Sequence, residues 1–202
     1  MSALKIVVCL VVFFFAFCSA GYNHTCPKVH DIQSSYVTNQ FNLTKFQGIW
    51  YEVAYHDYTQ PKLCRCQRSN KHYSPENKKI YDYGSLYCVN KTYIQNLSFA
   101  LTNVTGYFEG HWPLVPTVVF PDTVVAVQLD ARGNYVWVIE FQCVQIFNRI
   151  DFVGINFYHR RNNVTTAELD SMFKVARQQG LGEYMDYGPK VTLVDHKNCV
   201  YP

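Results

Sequence analysis

Eight cysteines are the residues with the most obvious chemistry in this chain. Cys9 and Cys18 lie in an apolar N-terminal segment, and six others follow it. In an extracellular protein an even set of thiols predicts disulfides, and six cysteines can pair in fifteen ways. The spacing Cys64-x-Cys66 could also suggest a metal site, but no second cysteine pair or His-x-His accompanies it and the seven histidines are scattered. The sequence therefore predicts three disulfides, no metal site and no cofactor.

The N-terminus has the three parts of a secretory signal peptide. Lys5 supplies the positive charge, residues 6–18 are apolar, and Ser19-Ala20-Gly21 offers small residues for cleavage after Ala20. The apolar run is shorter than the roughly 20 residues of a membrane span. We therefore expect a signal peptide over residues 1–20 and a single extracellular domain over residues 21–202. Without Lys5 the chain keeps 17 of its 18 basic residues beside 15 acidic ones, which indicates neither nucleic acid nor membrane-surface binding.

Six N-glycosylation sequons also indicate secretion. They begin at Asn23, Asn42, Asn90, Asn96, Asn103 and Asn163. A glycosylated asparagine must face the solvent. Because side chains alternate along a strand, a glycan on Asn96 would place Leu97, Phe99 and Leu101 on the inner face of that strand.

The elements that position these residues are mostly short strands. Turn residues separate runs with strand patterns at about 8–12-residue spacing. The runs cover residues 48–56, 66–73, 79–88, 93–102, 123–129, 135–143 and 152–160. Residues 103–121 are interrupted by glycines and prolines, so any strand there is expected to be short or irregular. Residues 21–44 are polar and predict an irregular N-terminal arm.

One helix is predicted after the strands. Thr165 and Glu168 have the spacing of a capping box, and Gly180 would end the helix in a left-handed conformation. Its apolar stripe consists of Leu169, Met172, Phe173 and Ala176. Residues 152–160 offer an apolar face to receive it: Val153, Ile155 and Phe157. The whole pattern predicts an all-β, eight-stranded antiparallel up-and-down barrel with one C-terminal helix packed outside, enclosing space for about one small ligand.

The segment Gly48-Ile49-Trp50-Tyr51-Glu52 resembles the Gly-x-Trp signature that opens the first strand of lipocalins. Other matches extend this resemblance over nearly the whole chain and towards the apolipoprotein D branch. They are Cys26-Pro27, Cys143, Arg160, Leu169-Asp170-Ser171-Met172 and Asn198-Cys199. The Thr-Asp-Tyr motif by which lipocalins often contact receptors is reduced to Asp130 and Tyr135, so the resemblance implies no receptor.

The resemblance implies a closed barrel floor and specific disulfides. Gly48, Trp50 and Arg160 would form the floor, with the Arg160 guanidinium stacked on the Trp50 ring. The implied bridges are Cys26–Cys143 and Cys66–Cys199. Cys64–Cys88 would then be a third bridge beyond the two of apolipoprotein D, although Cys64 and Cys66 could exchange partners.

A lipocalin would bind and transport a small hydrophobic ligand, such as a retinoid, fatty acid, sterol or pigment, inside the barrel. A monomer is favoured. The candidate lining residues are Tyr81, Tyr83, Leu97, Phe99, Asn156 and Tyr158.

Two other functions remain open at this point. The first is a secreted interaction protein that acts through its loops. The second is a lipocalin-fold enzyme, an isomerase or a de-epoxidase-like oxidoreductase, suggested by a fainter similarity to violaxanthin de-epoxidase. An enzyme would need a reactive thiol or carboxylate in the lumen, but all six cysteines can pair, and Asp82 and Glu140 are expected to be surface charges. A haem protein would need a luminal histidine, for which His56 is the candidate.

Overall fold

The computed structural model describes residues 25–112, 115–146 and 149–202. The predicted signal peptide and Asn23 lie outside these residues. Within the described part of the chain, no helix has both the length and the apolar character needed to cross a membrane.

The strands form one antiparallel sheet that closes on itself. They are β1 Gly48–Asp57, β2 Arg65–Ser74, β3 Lys79–Cys88, β4 Lys91–Leu101, β5 Tyr107–Trp112, β6 Val115–Leu129, β7 Tyr135–Ile146, β8 Arg149–His159 and β9 Thr192–Leu193. Each of the first seven strands pairs with the next, β8 pairs with β1 to close the sheet, and β9 adds to β1. The predicted eight-stranded up-and-down barrel is confirmed.

Strand β6 begins eight residues before the predicted start at Thr123. The prediction stopped there because Pro116 and Pro121 lack the N–H that a central strand donates. Among the described residues, β6 pairs with β7 from Thr123 onwards, whereas the pairs of residues 115–122 are with β5 alone. This part of β6 is therefore an edge, where proline is tolerated.

The N-terminal arm is more ordered than its composition suggested. It contains three short helices, α1 Val29–Ile32, α2 Ser35–Gln40 and α3 Leu43–Phe46. The Ser34 side chain caps α2 by accepting from Val37 N–H, and the Asn42 side chain caps α3 by accepting from the N–H groups of Thr44 and Lys45. These caps satisfy backbone donors that an irregular arm would leave to water.

The barrel is closed at one end by Trp50 and Arg160. Trp50 is fully buried, and its indole N–H donates to the Phe46 carbonyl at 2.7 Å. The Arg160 guanidinium lies 3.5 Å from the centroid of the Trp50 ring. It also donates to three backbone carbonyls of the chain that enters β1, those of Lys45, Gln47 and Ile49, at 2.7–2.8 Å. The stacking that the resemblance implied is present in the structure.

Helix α4, Thr166–Ala176, packs on the outside of the barrel. The predicted capping box between Thr165 and Glu168 is present. Met172 and Ala176 are fully buried in a cluster with the outward side chains of β8, and the rings of Phe157 and Phe173 meet edge to face at 4.9 Å. Gly180 adopts a φ of +83° and ends this helical run, after which a short helix α5 spans Gly182–Asp186.

Three disulfides connect the two terminal segments and the loop between β1 and β2 to strands of the barrel. Cys26 pairs with Cys143, Cys66 with Cys199, and Cys64 with Cys88. This is the set that the resemblance implied. The first bridge ties the N-terminal arm to β7, and the second ties the C-terminal segment to β2.

Replacing Arg160 by alanine should destabilise the barrel because three carbonyls and the Trp50 ring lose their charged partner. We expect the free energy of unfolding to fall by about 3 kcal/mol. Arg161→Ala is the matched control, since Arg161 is exposed and pairs with Glu168 at the surface, and it should cost less than about 1 kcal/mol. Denaturant unfolding with the disulfides intact measures both values. Equal losses for the two variants would contradict the role given to Arg160.

Candidate ligand-binding site

The end of the barrel next to the floor is filled with side chains. Phe46, Trp50, Phe108, Val124 and Val138 are buried there in one apolar cluster. The rings of Phe46 and Phe108 stack with centroids 6.0 Å apart. This packing leaves the other half of the barrel as the place where a ligand could enter.

A cavity of about 270 Å³ occupies that half. One wall carries apolar side chains of β4 and β6: Leu97, Phe99 and Phe120. The remaining wall is polar and includes Glu52, Gln67, Ser69, Asp82, Gln142, Asn156 and Tyr158. The volume lies just below the range of about 300–1,000 Å³ that is common for sites of drug-sized ligands. The arrangement suits a small molecule with one apolar and one polar side.

A buried ion-pair network separates the cavity from the filled floor. The Lys71 ammonium lies 2.8 Å from the Asp82 carboxylate and 3.2 Å from that of Glu140. Ser69 donates a hydrogen bond of 2.6 Å to the other oxygen of Asp82. The three ionic side chains come from β2, β3 and β7, so the network connects strands across the lumen.

Burial and charge act in opposite directions on the pKa values of this network. Burial alone would lower the pKa of Lys71, but the charges of Asp82 and Glu140 outweigh it and hold the pKa above its usual range. Burial, together with the charge of Asp122, raises the pKa of Glu140 well above its usual value. Burial also raises the pKa of Asp122 to about 6, against the attraction of Lys71. Lys71 is therefore the charged group that compensates the carboxylates of Asp82 and Glu140 and attracts that of Asp122.

The expectation that Asp82 and Glu140 are surface charges is wrong. Their exposed fractions are 8% and 2%. The physical reason is that Lys71 enters the lumen from β2 and compensates both carboxylates. A sequence shows the charge of each residue, but not that a strand distant in sequence supplies its counterion.

Glu52 forms a second polar group at the cavity wall. Its Oε1 atom accepts hydrogen bonds from Asn156 at 2.6 Å and from Gln60 at 3.1 Å. Gln60 in turn accepts a 3.0 Å hydrogen bond from the Nε2 atom of Gln67. Burial raises the pKa of Glu52 to about 7, although the two amide donors oppose the shift. The Glu52 carboxyl group therefore changes its charge near neutral pH.

The described sequons have exposed asparagines. Asn42, Asn90, Asn96, Asn103 and Asn163 all face the solvent. This geometry permits glycans at each of them. His56, the candidate for a haem ligand, is fully buried but does not line the cavity.

Comparison with known proteins identifies the fold. No family model and no curated protein matches the sequence. Among solved structures, that of insecticyanin from the tobacco hornworm Manduca sexta, a lipocalin, is similar with a TM-score of 0.65 and 15% sequence identity. The match covers 88% of this chain and 89% of insecticyanin. This similarity agrees with the closed antiparallel barrel and the external helix described above.

The chain has the lipocalin fold.

Four of the predicted lining residues border the cavity of this lipocalin barrel: Leu97, Phe99, Asn156 and Tyr158. Tyr81 and Tyr83 do not. They lie on the outer face of β3, and Tyr83 is 47% exposed. The placement of the two tyrosines in the lumen is therefore corrected. Tyr83 pairs directly with Asn96 on β4, and cross-strand partners share a face, so a solvent-facing Asn96 requires a solvent-facing Tyr83.

Several cavity and network residues were not predicted as functional. Gln67, Lys71 and Asp122 carried no motif, and Glu52 entered only as part of the signature around Trp50. A weak signal was present in β2, where Gln67, Ser69 and Lys71 alternate and are all buried. From sequence alone, a polar strand face is interpreted as facing the solvent, unless the opposite face is known to point outwards.

Glu52→Gln should change how the stability of the lipocalin barrel depends on pH. The folded pKa of about 7 exceeds the usual glutamate value of 4.5, so the folded state holds the proton more tightly than the unfolded state. Stability from this group is present below pH 4.5 and is lost as the pH rises towards and through 7. The free energy of unfolding of the wild type should therefore fall by about 3 kcal/mol relative to the glutamine variant between pH 4 and pH 8.

Urea unfolding of both proteins at pH 4, 6 and 8 measures this difference. Asp170→Asn removes the same charge from the exposed surface of α4 and serves as the control. Its difference from the wild type should vary by less than about 1 kcal/mol over the same range. A wild-type-minus-glutamine difference that is independent of pH would show that Glu52 titrates normally.

Proposed function

We propose that the chain is a secreted member of the lipocalin family that binds and transports one small ligand in the open half of its barrel. The observation that carries the proposal is the combination of a sealed floor with a cavity that has an apolar and a polar wall. A barrel serving only as a scaffold for its loops has no need of such a cavity. This favours a carrier over a loop-based interaction protein.

The apolipoprotein D branch is the part of the family that we propose. Its support is the pairing of Cys26 with Cys143 and of Cys66 with Cys199. The stacking of Arg160 on Trp50 adds to this support. The additional Cys64–Cys88 bridge then fixes the loop between β1 and β2, which borders the cavity.

The ligand should be partly hydrophobic and small. Leu97, Phe99 and Phe120 provide an apolar surface, and each Å² of apolar ligand buried there contributes about 25 cal/mol. Among the ligand classes considered, the volume of about 270 Å³ suits short molecules better than extended retinoids or rigid sterols. We propose a binding protein and not an enzyme, because the described hydrogen bonds of the Glu52 carboxylate join it to the amides of Gln60 and Asn156 and not to a hydroxyl group that it could activate.

Filling the cavity should abolish ligand binding. Leu97 lines the cavity on β4, whereas Ile94 on the same strand is 60% exposed. Leu97→Trp should reduce the stoichiometric binding of a small apolar probe at least tenfold, and Ile94→Trp should leave it unchanged. Native mass spectrometry of the glycosylated protein with retinol, oleate, cholesterol, biliverdin and indole measures the adducts. If none of the probes forms an adduct, or if both variants lose binding equally, a site inside the barrel is contradicted.

Expression of the full chain in a eukaryotic secretory host tests the compartment. We expect the protein in the medium with Gly21 at its N-terminus, and with a mass that falls on treatment with an N-glycosidase. Intact-mass measurement before and after reduction should show three disulfides. Retention in the cell with residues 1–20 still attached would contradict secretion.

A further inference from the structure

The lumen contains more negative than positive groups. Four carboxylates lie in it, those of Glu52, Asp82, Asp122 and Glu140, and each is at most 8% exposed. In the described structure Lys71 contacts two of them, and its ammonium is shared between Asp82 and Glu140. Glu52 has no ionic partner within contact distance. Arg68 also lines the cavity, but its guanidinium donates to the Pro202 carbonyl and lies over the Tyr201 ring. The described structure therefore shows no cation in contact with Glu52.

The hydrogen bonds around Glu52 leave one buried acceptor atom of the cavity wall without a donor. An ionised Glu52 accepts from the amide N–H of Gln60, so the carbonyl oxygen of Gln60 faces Gln67 and accepts from it. The Oε1 atom of Gln67 is then left without a hydrogen-bond partner, although Gln67 is only 5% exposed and lines the cavity. A buried acceptor without a donor is costly, so this atom calls for a donor from a ligand.

We infer that the ligand is a small amphipathic amine, whose ammonium group binds Glu52 and Gln67 while its apolar body packs on Leu97, Phe99 and Phe120. This inference rests on the proposed ligand-binding function and specifies its chemistry. An ammonium group supplies both the missing charge and several N–H donors. An acid such as a fatty acid would bring another carboxylate towards Glu52.

A metal ion fits the same position less well. In residues 25–112, 115–146 and 149–202, no three His, Cys, Asp or Glu side chains are grouped to hold a metal. Glu52 stands beside the amides of Asn156, Gln60 and Gln67. The carboxylate of Asp57, which also lines the cavity, accepts from the Thr59 N–H and hydroxyl. The apolar wall opposite Glu52 also matches the body of an organic amine and would serve no purpose for a bare ion.

Two probes that differ in a single group test the inference. Tryptamine carries an ammonium group where indole-3-ethanol carries a hydroxyl group, and the rest of the molecule is the same. Isothermal titration calorimetry at pH 8 gives both dissociation constants for the full secreted protein. We expect tryptamine to bind at least tenfold more tightly than indole-3-ethanol.

Three variants locate the source of this preference. Glu52→Gln should lower tryptamine affinity at least tenfold and change indole-3-ethanol affinity less than threefold. Gln67→Met keeps the side-chain length without the acceptor and should lower tryptamine affinity about threefold to tenfold. Asp170→Asn removes a charge from the outer surface and should change neither affinity. Near-ultraviolet circular dichroism confirms that each variant is folded, and the methionine variant serves the test if the Glu52 variant does not fold.

Equal affinities for the two probes, or a preference that survives both Glu52→Gln and Gln67→Met, would overturn the inference while leaving the proposed carrier function intact. The inference alone also fails if neither indole probe binds but an apolar probe forms a stoichiometric adduct. If no probe of any class binds, the proposed function fails together with the inference.

Discussion

The buried ammonium group of Lys71 is the interaction on which the interior of this barrel depends. Its nitrogen lies within 3.2 Å of a carboxylate oxygen of Asp82 and of Glu140, which belong to strands on different sides of the lumen. Buried carboxylates without such a partner would cost several kcal/mol each. The network also divides the barrel, because apolar side chains fill the space on the floor side and polar groups border the cavity on the other. The site is therefore a consequence of how internal charge is compensated.

The barrel wall around this interior is stabilised at the floor by Arg160, and on its outer surface by helix α4 and the disulfides. Arg160 ties the entry to β1 to the end of β8 through three carbonyls and the Trp50 ring. Helix α4 covers the outward apolar face of β8, and the disulfides attach both terminal segments. Side chains of β8 thus serve two cores at once, apolar outwards and polar inwards. A cavity can persist in such a barrel because its walls do not depend on filling it.

Local motifs predicted the shell well and the interior poorly. The floor, the capping box at Thr165 and the disulfides each follow from residues that act within a short segment or a family pattern. The inward face of β3 could not be predicted in this way, because alternation separates the two faces of a strand without showing which one faces the lumen. The Val89-Asn90 turn pairs Cys88 with Lys91 and hence Tyr83 with Asn96, so the sequon could have fixed this face. The Lys71 network could not be predicted, since its members meet only after the barrel closes.

A high-resolution crystal structure of the protein secreted by a eukaryotic host tests the central claim most directly. We expect Lys71 between Asp82 and Glu140, and a cavity with density beside Glu52 and Gln67 when tryptamine is present. The nitrogen of that ligand should lie within hydrogen-bond distance of the Glu52 carboxylate. A lumen filled by Phe99 and Phe120, with Lys71 turned out to solvent, would contradict both the charge network and the site that it borders.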